Sequence, residues 1–258
     1  MYIRQQSLLS FENIIALQPK TKLELIFENI DLSEATKLLP RFGRGPKGYD
    51  LIPIVRALLA QQIEQIPTRA ALVRRLVTDP VLRYACGFNI IGKVPSEATF
   101  SRYFNILNEN GFLQKIYFDL VDKAMELGLM DTKVIAIDAT DLTSYERVKP
   151  KKKLNSDDPN TPDWGSKMDS HGNQKTWVGW KLHLAVDNKS ELPLAFMFSK
   201  ASKADGEFAI PLVDQVYEQC KAKEYELPQY WTMDSGYDWK RIYEEIYNTY
   251  IRLSNYSD

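Results

Sequence analysis

The chain has 258 residues, 44% hydrophobic and 26% charged, with a net charge of −1. That length can bury a sizeable core and suits two domains, and the composition is that of an ordinary globular protein rather than a disordered or fibrous one. No apolar run approaches the roughly 20 residues that cross a bilayer, the amino terminus has no basic-then-apolar segment, and Cys86 and Cys220 stand far apart, so the sequence predicts a cytoplasmic protein without a disulfide framework or cysteine zinc site.

The near-zero net charge hides an uneven distribution. Residues 41–103 hold Arg41, Arg44, Lys47, Arg56, Arg69, Arg74, Arg75, Arg83, Lys93 and Arg102 against Asp50, Glu64, Asp79 and Glu97. A local excess of cations suits a polyanionic partner.

Residues 1–130 read as helices and turns. Ser10 is placed to cap a short helix carrying Phe11, Ile14, Ile15 and Leu17, which Pro19 ends or restarts. Apolar periodicity continues over 22–30, and Asp31 with Glu34 has capping-box spacing ahead of Ala35, Leu38 and Leu39, with Pro40 as the stop. The loop 41–49 (RFGRGPKGY) reads either as a connector or as a contact to a phosphate backbone. Residues 50–66 place Ile54, Leu58, Leu59, Ile63 and Ile66 at helical spacing. Thr68 then caps a helix with Ala71, Leu72, Leu76 and Val77 facing inward and Arg69, Arg74 and Arg75 outward. Asp79-Pro80 opens another helix that Gly87 closes. Pro95-Ser96 starts a third, over 96–107, whose buried stripe is Phe100, Phe104 and Leu107. Helix, glycine-containing turn and Ser-capped helix outline a helix-turn-helix, whose second helix presents its first turns to the major groove. Ser96, Thr99, Ser101, Arg102 and Asn105 are the groove-facing candidates, although a plain helical bundle has the same outline. A long helix over 112–127 and Gly128 lead to a hinge at 129–132.

Beyond residue 133 the periodicity changes to that of strands. In 133–143 (KVIAIDATDLT), Val134, Ile135, Ala136 and Ile137 run directly into Asp138, which predicts a strand buried on both faces with a carboxylate inside the sheet or at its end. A buried carboxylate that stays ionised needs a partner, and a metal ion is one. Asp141, three residues on, points to the other face of an ideal strand. Residues 145–175 are poor in apolar side chains, contain Lys149, Lys151, Lys152 and Lys153, and read as a long exposed loop. Residues 177–187 (WVGWKLHLAVD) and 191–198 (ELPLAFMF) form a predicted hairpin around a turn at 188–190. Lys181 and His183 share one face of its first strand, either as phosphate contacts or as plain strand residues. Trp177 and Trp180 suit a core, or base stacking. Ser202 and Asp205 have capping-box-like spacing for a helix through Phe208, Leu212, Val213, Val216 and Cys220, with Pro211 blurring its first turn. Residues 230–239 (YWTMDSGYDW) repeat the earlier device, a short strand ending in Asp234, and two strands that each end in Asp suggest one site. A helix over 238–247 and the beginning of a strand near 250–253 follow. The expected fold class is α+β, a helical bundle over 1–130 followed by a mixed α/β sheet over 131–258.

Three segments together resemble the catalytic domain of bacterial insertion-sequence transposases of the DDE type, in the IS-four and IS-five group. They are IDATDL with Asp138, residues 171–187 with WVGWKLHLAVD, and TMDSGYD with Asp234. The helical half, with PSEATFSRY, resembles the amino-terminal domain of the same enzymes, so the resemblance covers nearly the whole chain. It implies a ribonuclease-H-like catalytic domain and Mg2+-dependent DNA cleavage and strand transfer, with Mn2+ as a substitute and Asp138 and Asp234 as catalytic metal ligands. It also implies a homo-oligomer on double-stranded DNA, at the terminal inverted repeats and the target, in a bacterial nucleoid. The residues then expected at DNA are Arg69, Arg74, Arg75, Ser96, Thr99, Arg102, Lys181 and His183. The family's third acid is a Glu on a helix beyond the fifth strand. No Glu follows Glu245 in this sequence, which leads us to expect a truncated product, incomplete at its carboxyl end, with impaired catalysis. A DNA-binding module that regulates a full-length enzyme and a metal-dependent nuclease are the alternatives.

Overall fold

Side-chain caps set the helix starts in the first half of the chain. In the computed structural model, which describes residues 9–38, 48–145, 161–168 and 172–248, Ser10 caps α1 (Phe11–Ala16), and Thr21 with Glu24 forms a full capping box on α2 (Lys22–Glu28). Asp50 caps α3 (Leu51–Ile63), Thr68 caps α4 (Arg69–Thr78), Asp79 caps α5 (Pro80–Ala85) and Ser96 caps α6 (Glu97–Glu109). Each cap accepts from a backbone N–H of the first turn and stabilises its helix by about 1 kcal/mol. Gly111, at φ +65°, makes the left-handed turn into α7 (Phe112–Glu126). The loop 41–49, the lysines at 149 and 151–153, His171 and the strand expected at 250–253 lie wholly or partly outside the described residues.

The chain divides into two compact units, Met1–Leu120 and Val121–Asp258. In the first, α3, α4 and α6 pack on one another, and Ile54, Ala60, Leu72, Leu76, Phe100 and Leu107 are fully buried. Two expectations change here. Ser33–Lys37 is a 3₁₀ turn rather than an α-helix, and Asp31 bonds locally to the Ser33 N–H (2.8 Å) instead of forming a box with Glu34. α5 and α6 are joined by residues 86–96, longer than the three- or four-residue turn of a helix-turn-helix, and α6 rests on α3 and α4. The local pattern of cap and glycine could not reveal this packing.

In the second unit β1 (Val134–Thr143), β2 (Asp163–Met168), β3 (Gln174–Asp187), β4 (Pro193–Lys200) and β5 (Tyr230–Met233) form one mixed sheet. β3 pairs antiparallel with β1, β2 and β4, and β5 runs parallel to β1. A 3₁₀ turn, Asp205–Phe208, leads into α8 (Ala209–Lys223), which packs on β3 and β4 through the fully buried Leu212, Val213 and Val216. Ala204 N–H donates to Glu207 at this turn (3.2 Å), so Ser202 is not the cap. A second 3₁₀ turn, Ser235–Tyr237, joins β5 to α9 (Lys240–Ile246). The fold is α+β, as expected, and among the described residues no helix is long and apolar enough to cross a membrane. Cys86 and Cys220 are buried free thiols in different units, pushed up by burial to about 12 and about 11.

β2 lies inside the stretch expected to be loop. DWGSKM offers little apolar signal, but it closes on β3 with Gly165 opposite Trp177, where a Cβ would come within 2.5 Å of the indole ring. Gly179 has a similar reason. A Cβ there would collide with the Leu142 carbonyl, so glycine is what lets β3 lie against β1 at this point.

Asp187, 1% exposed, closes the β3–β4 turn by accepting from the N–H groups of Lys189 and Ser190 (both 3.1 Å) and from the Ser190 hydroxyl (2.5 Å). Burial by itself would raise its pKa, but these bonds outweigh it and hold the carboxyl below its usual 3.8. The unfolded chain therefore takes up this proton first on acidification. The contribution is complete above the unfolded value and lost as pH falls through the lower folded one. In urea unfolding at pH 7, Asp187→Ala should lose about 1–3 kcal/mol, and the gap to wild type should narrow below pH 4.

Candidate active site

The pleat decides which side chains can meet. Residues that face each other across a ladder share a face of the sheet, and successive residues alternate. The pairs Ala139↔His183 and Asp141↔Lys181 put Asp141, Lys181 and His183 on the face that carries the buried Ile135, Ile137 and Ala185. Asp138 pairs with Leu184 and leaves from the opposite face. The β1–β5 ladder runs through Ala136↔Thr232 and Ile137↔Met233, and its next step sets Asp138 beside Asp234, whose backbone is still extended (φ −77°, ψ 177°). Adjacent strands lie about 4.8 Å apart, so the two carboxylates leave the same face as neighbours where β5 ends.

Both are exposed. Asp138 Oδ1 accepts from Ala139 N–H at 2.7 Å and Asp234 Oδ1 from Gly236 N–H at 2.9 Å. Two cations of this sheet go elsewhere: Lys167 pairs with Asp141, and Lys181 with Asp205. Among the described residues neither Asp138 nor Asp234 has an ion-pair partner. The expectation that Asp138 is a buried charge is thus corrected. Ile135 and Ile137 are buried, but Val134 and Ala136 are half-buried, so β1 is covered on one face and the carboxylate stands in solvent on the other.

Two hard oxygen donors side by side fit a Mg2+-type ion, which takes one or two carboxylates and fills its remaining positions with water and phosphate oxygens. Among the described residues no group of three His, Cys, Asp or Glu is arranged to hold a metal. Asp234 also lines an open cleft of about 900 Å3 with Trp231, Tyr237, Ile242, Glu244 and Tyr247. Glu244 is engaged by Lys240 at 3.4 Å.

Lys181 and His183 are not at this site. His183 has no exposed surface; its Nε2 bonds to Ser199 Oγ (2.8 Å) and its ring stacks on Phe208 with centroids 4.3 Å apart. The Lys181 ammonium donates to Lys203 O (2.9 Å) and Asp205 (2.8 Å), with its side chain 12% exposed. DNA contact by either is corrected to a packing role, because the same alternation that pairs them with each other turns them away from Asp138. Trp177 is buried, with the Lys167 and Lys181 ammonium groups over its ring.

The arginines of the helical unit divide in the same way. Arg69 donates to Ser101 Oγ (2.7 Å) and lies over the Phe104 ring, bracing α4 on α6. Arg75 pairs with Glu64 and Asp79, and Arg83 is buried and donates to Gly92 O. The Ser96 and Thr99 hydroxyls are bonded to each other at the α6 cap (3.0 Å). Arg74 and Arg102 are exposed, with the Arg102 guanidinium 5.4 Å from the Tyr103 ring centre.

Reasoning from the sequence missed Tyr237. It is 3% exposed, its hydroxyl has no hydrogen-bond partner among the described residues, and burial, then the charges of Asp205, Asp138 and Asp234, raise its pKa. Its place in TMDSGYD, three residues after Asp234, was the available signal.

Family models match both parts of the chain. A Transposase domain (DUF772) matches residues 12–105, and a Transposase DDE domain matches residues 130–257. The chain belongs to the insertion-sequence DDE transposases. The sheet is consistent with the ribonuclease-H-like fold of a DDE domain. Transposases act on DNA, and the DDE family generally uses divalent metal ions. No match was found among curated proteins.

Burial lowers the His183 pKa from its ordinary 6.5, against the pull of Asp205 and with the help of Lys181. The unfolded chain therefore binds this proton first, so the stability His183 contributes is complete above pH 6.5 and lost below it. Urea unfolding should show wild type losing stability between pH 7.5 and 5.5, and His183→Phe, which keeps an aromatic ring on Phe208 but cannot titrate, losing less. Equal losses would exclude His183 as the source.

Proposed function

We propose that this chain is a transposase subunit that binds the terminal inverted repeats of its element through the helical unit and cleaves and joins DNA at Asp138 and Asp234 with Mg2+, for which Mn2+ substitutes. The observation that carries the reading is the pair of neighbouring carboxylates on one sheet face with no cation partner among the described residues. Bound there, Mg2+ would activate an attacking oxygen and stabilise the leaving oxygen of a phosphodiester. The protein's part is to hold two carboxylate oxygens in place. Asp138 sits on an interior strand, and Asp234 is fixed by the Gly236 N–H. Joining two DNA ends calls for at least two copies, so the working form is a homo-oligomer on double-stranded DNA.

On the helical unit, Arg74 and Arg102 are exposed cations that support contact with phosphates. Arg74→Ala and Arg102→Ala should each weaken repeat binding and lower the salt slope of log K by about 1 in gel shifts. Arg69→Ala should instead lower the melting temperature, since Arg69 is a brace. Unchanged binding and slope in both Arg74→Ala and Arg102→Ala would refute this face as the DNA contact. For the catalytic part, Asp138→Asn should abolish Mn2+-dependent cleavage of repeat-bearing DNA while gel shifts persist. Cleavage that yields free ends and no joined strands would point to a nuclease instead.

A further inference from the structure

The loop that joins α5 to α6 holds an aliphatic side chain almost wholly in solvent. Ile91 is 96% exposed, beyond any other described aliphatic residue, the next being Leu17 at 75%. Single apolar residues on a surface are ordinary, but this one stands on a braced tip. Asn89 Oδ1 accepts from the N–H groups of Ile91 (2.9 Å) and Gly92 (3.2 Å), and the buried Arg83 donates to Gly92 O. Phe88 pins the entry of the loop against Phe100 of α6, with ring centroids 6.4 Å apart, and the buried Pro95 pins its exit beside the Ser96 cap. A β-branched side chain is also stiff at χ1, so tip and side chain are both held in advance of any partner. The charge around the tip is positive. Residues 80–96 contain no Asp or Glu, and Lys93, two residues from Ile91, is exposed and has no ion-pair partner among the described residues. At the loop's entry a Cβ on Gly87 would stand 3.6 Å from Nη1 of Arg56, which likewise lacks a carboxylate partner there. A protein-docking surface would gather several apolar side chains, whereas Ile91 is flanked by the exposed Asn89, Gly92 and Lys93. One stiff apolar side chain beside a cation is instead the device by which minor-groove proteins part a base step.

We infer that the α5–α6 loop is a further DNA contact, at which Ile91 enters the minor groove and wedges between two base pairs while Lys93 takes a neighbouring phosphate. Such insertion unstacks the step and bends the duplex by about 20–90°. The energy it costs depends on the step, and pyrimidine–purine steps unstack most easily, so the loop reads deformability rather than base edges. This rests on the DNA-binding role proposed above for the helical unit, and adds a shape-reading contact to the phosphate contacts of Arg74 and Arg102.

The test uses the full chain and duplexes carrying the terminal repeat of its element, with 2-aminopurine at successive positions and a donor–acceptor dye pair at the ends. Wild type should raise 2-aminopurine emission at one step and shorten the end-to-end distance. Ile91→Ala, at saturating protein, should lose both signals and melt at the wild-type temperature, because the side chain it removes is exposed. Asn89→Ala, which keeps Ile91 but frees the tip, should reduce both signals. Lys93→Ala should lower the salt slope of log K by about 1 and keep the unstacking signal. Unstacking and bending by Ile91→Ala equal to those of wild type overturn the inference and leave DNA binding by the helical unit standing, as does a wild type that binds the repeat without raised emission at any step. Loss of self-association in Ile91→Ala with both DNA signals unchanged also overturns it, and assigns Ile91 to a second copy of the chain. No binding of repeat DNA by wild type overturns both readings.

Discussion

The register of β1 between β3 and β5 is the constraint on which the site depends. Side chains alternate along a strand, so a slip of one residue would carry Asp138 into the core and bring Ile137 out. What holds the register is the packed face: Ile135 and Ile137 of β1 and Ala185 of β3 are buried in the unit where α8 supplies Leu212, Val213 and Val216. Fully burying one side chain of this size stabilises by about 1.5–3 kcal/mol, far more than an exposed carboxylate loses or gains by its surroundings. The core thus chooses the register, and the two aspartates inherit their common face from it.

Charge follows the same division. On the packed face Lys181 pairs with Asp205 and Lys167 with Asp141, and burial against Ser199 and Phe208 disfavours a charge on His183. On the open face two carboxylates stand together where β5 ends. Like charges side by side are unfavourable unless a cation joins them, and in a DDE transposase a divalent ion and the phosphates of DNA are the expected company.

The helical unit shows why a tally of arginines overstates a DNA surface. Arg69, Arg75 and Arg83 are bonded within the unit and hold α4, α5 and the loop after α5 in place, while Arg74 and Arg102 stand in solvent. Long cationic side chains often serve packing through their stems and planar heads. Which of them does so depends on the neighbours supplied by other helices.

By itself the sequence determined what short-range chemistry decides. The caps at Ser10, Thr68, Asp79 and Ser96 were legible because a cap meets its partner within three residues. The β3–β4 hairpin, the α8 stripe and the run of strand into Asp138 and Asp234 were legible for the same reason, as periodic patterns inside one segment. Tertiary structure alone decided the partners that lie far along the chain. It paired the weakly apolar β2 with β3, replaced the tight helix-turn-helix with a bundle, buried His183 and Lys181 away from Asp138, and left β1 covered on one face. Burial and pairing of this kind depend on what the opposite strand or helix presents, and no local pattern contains that.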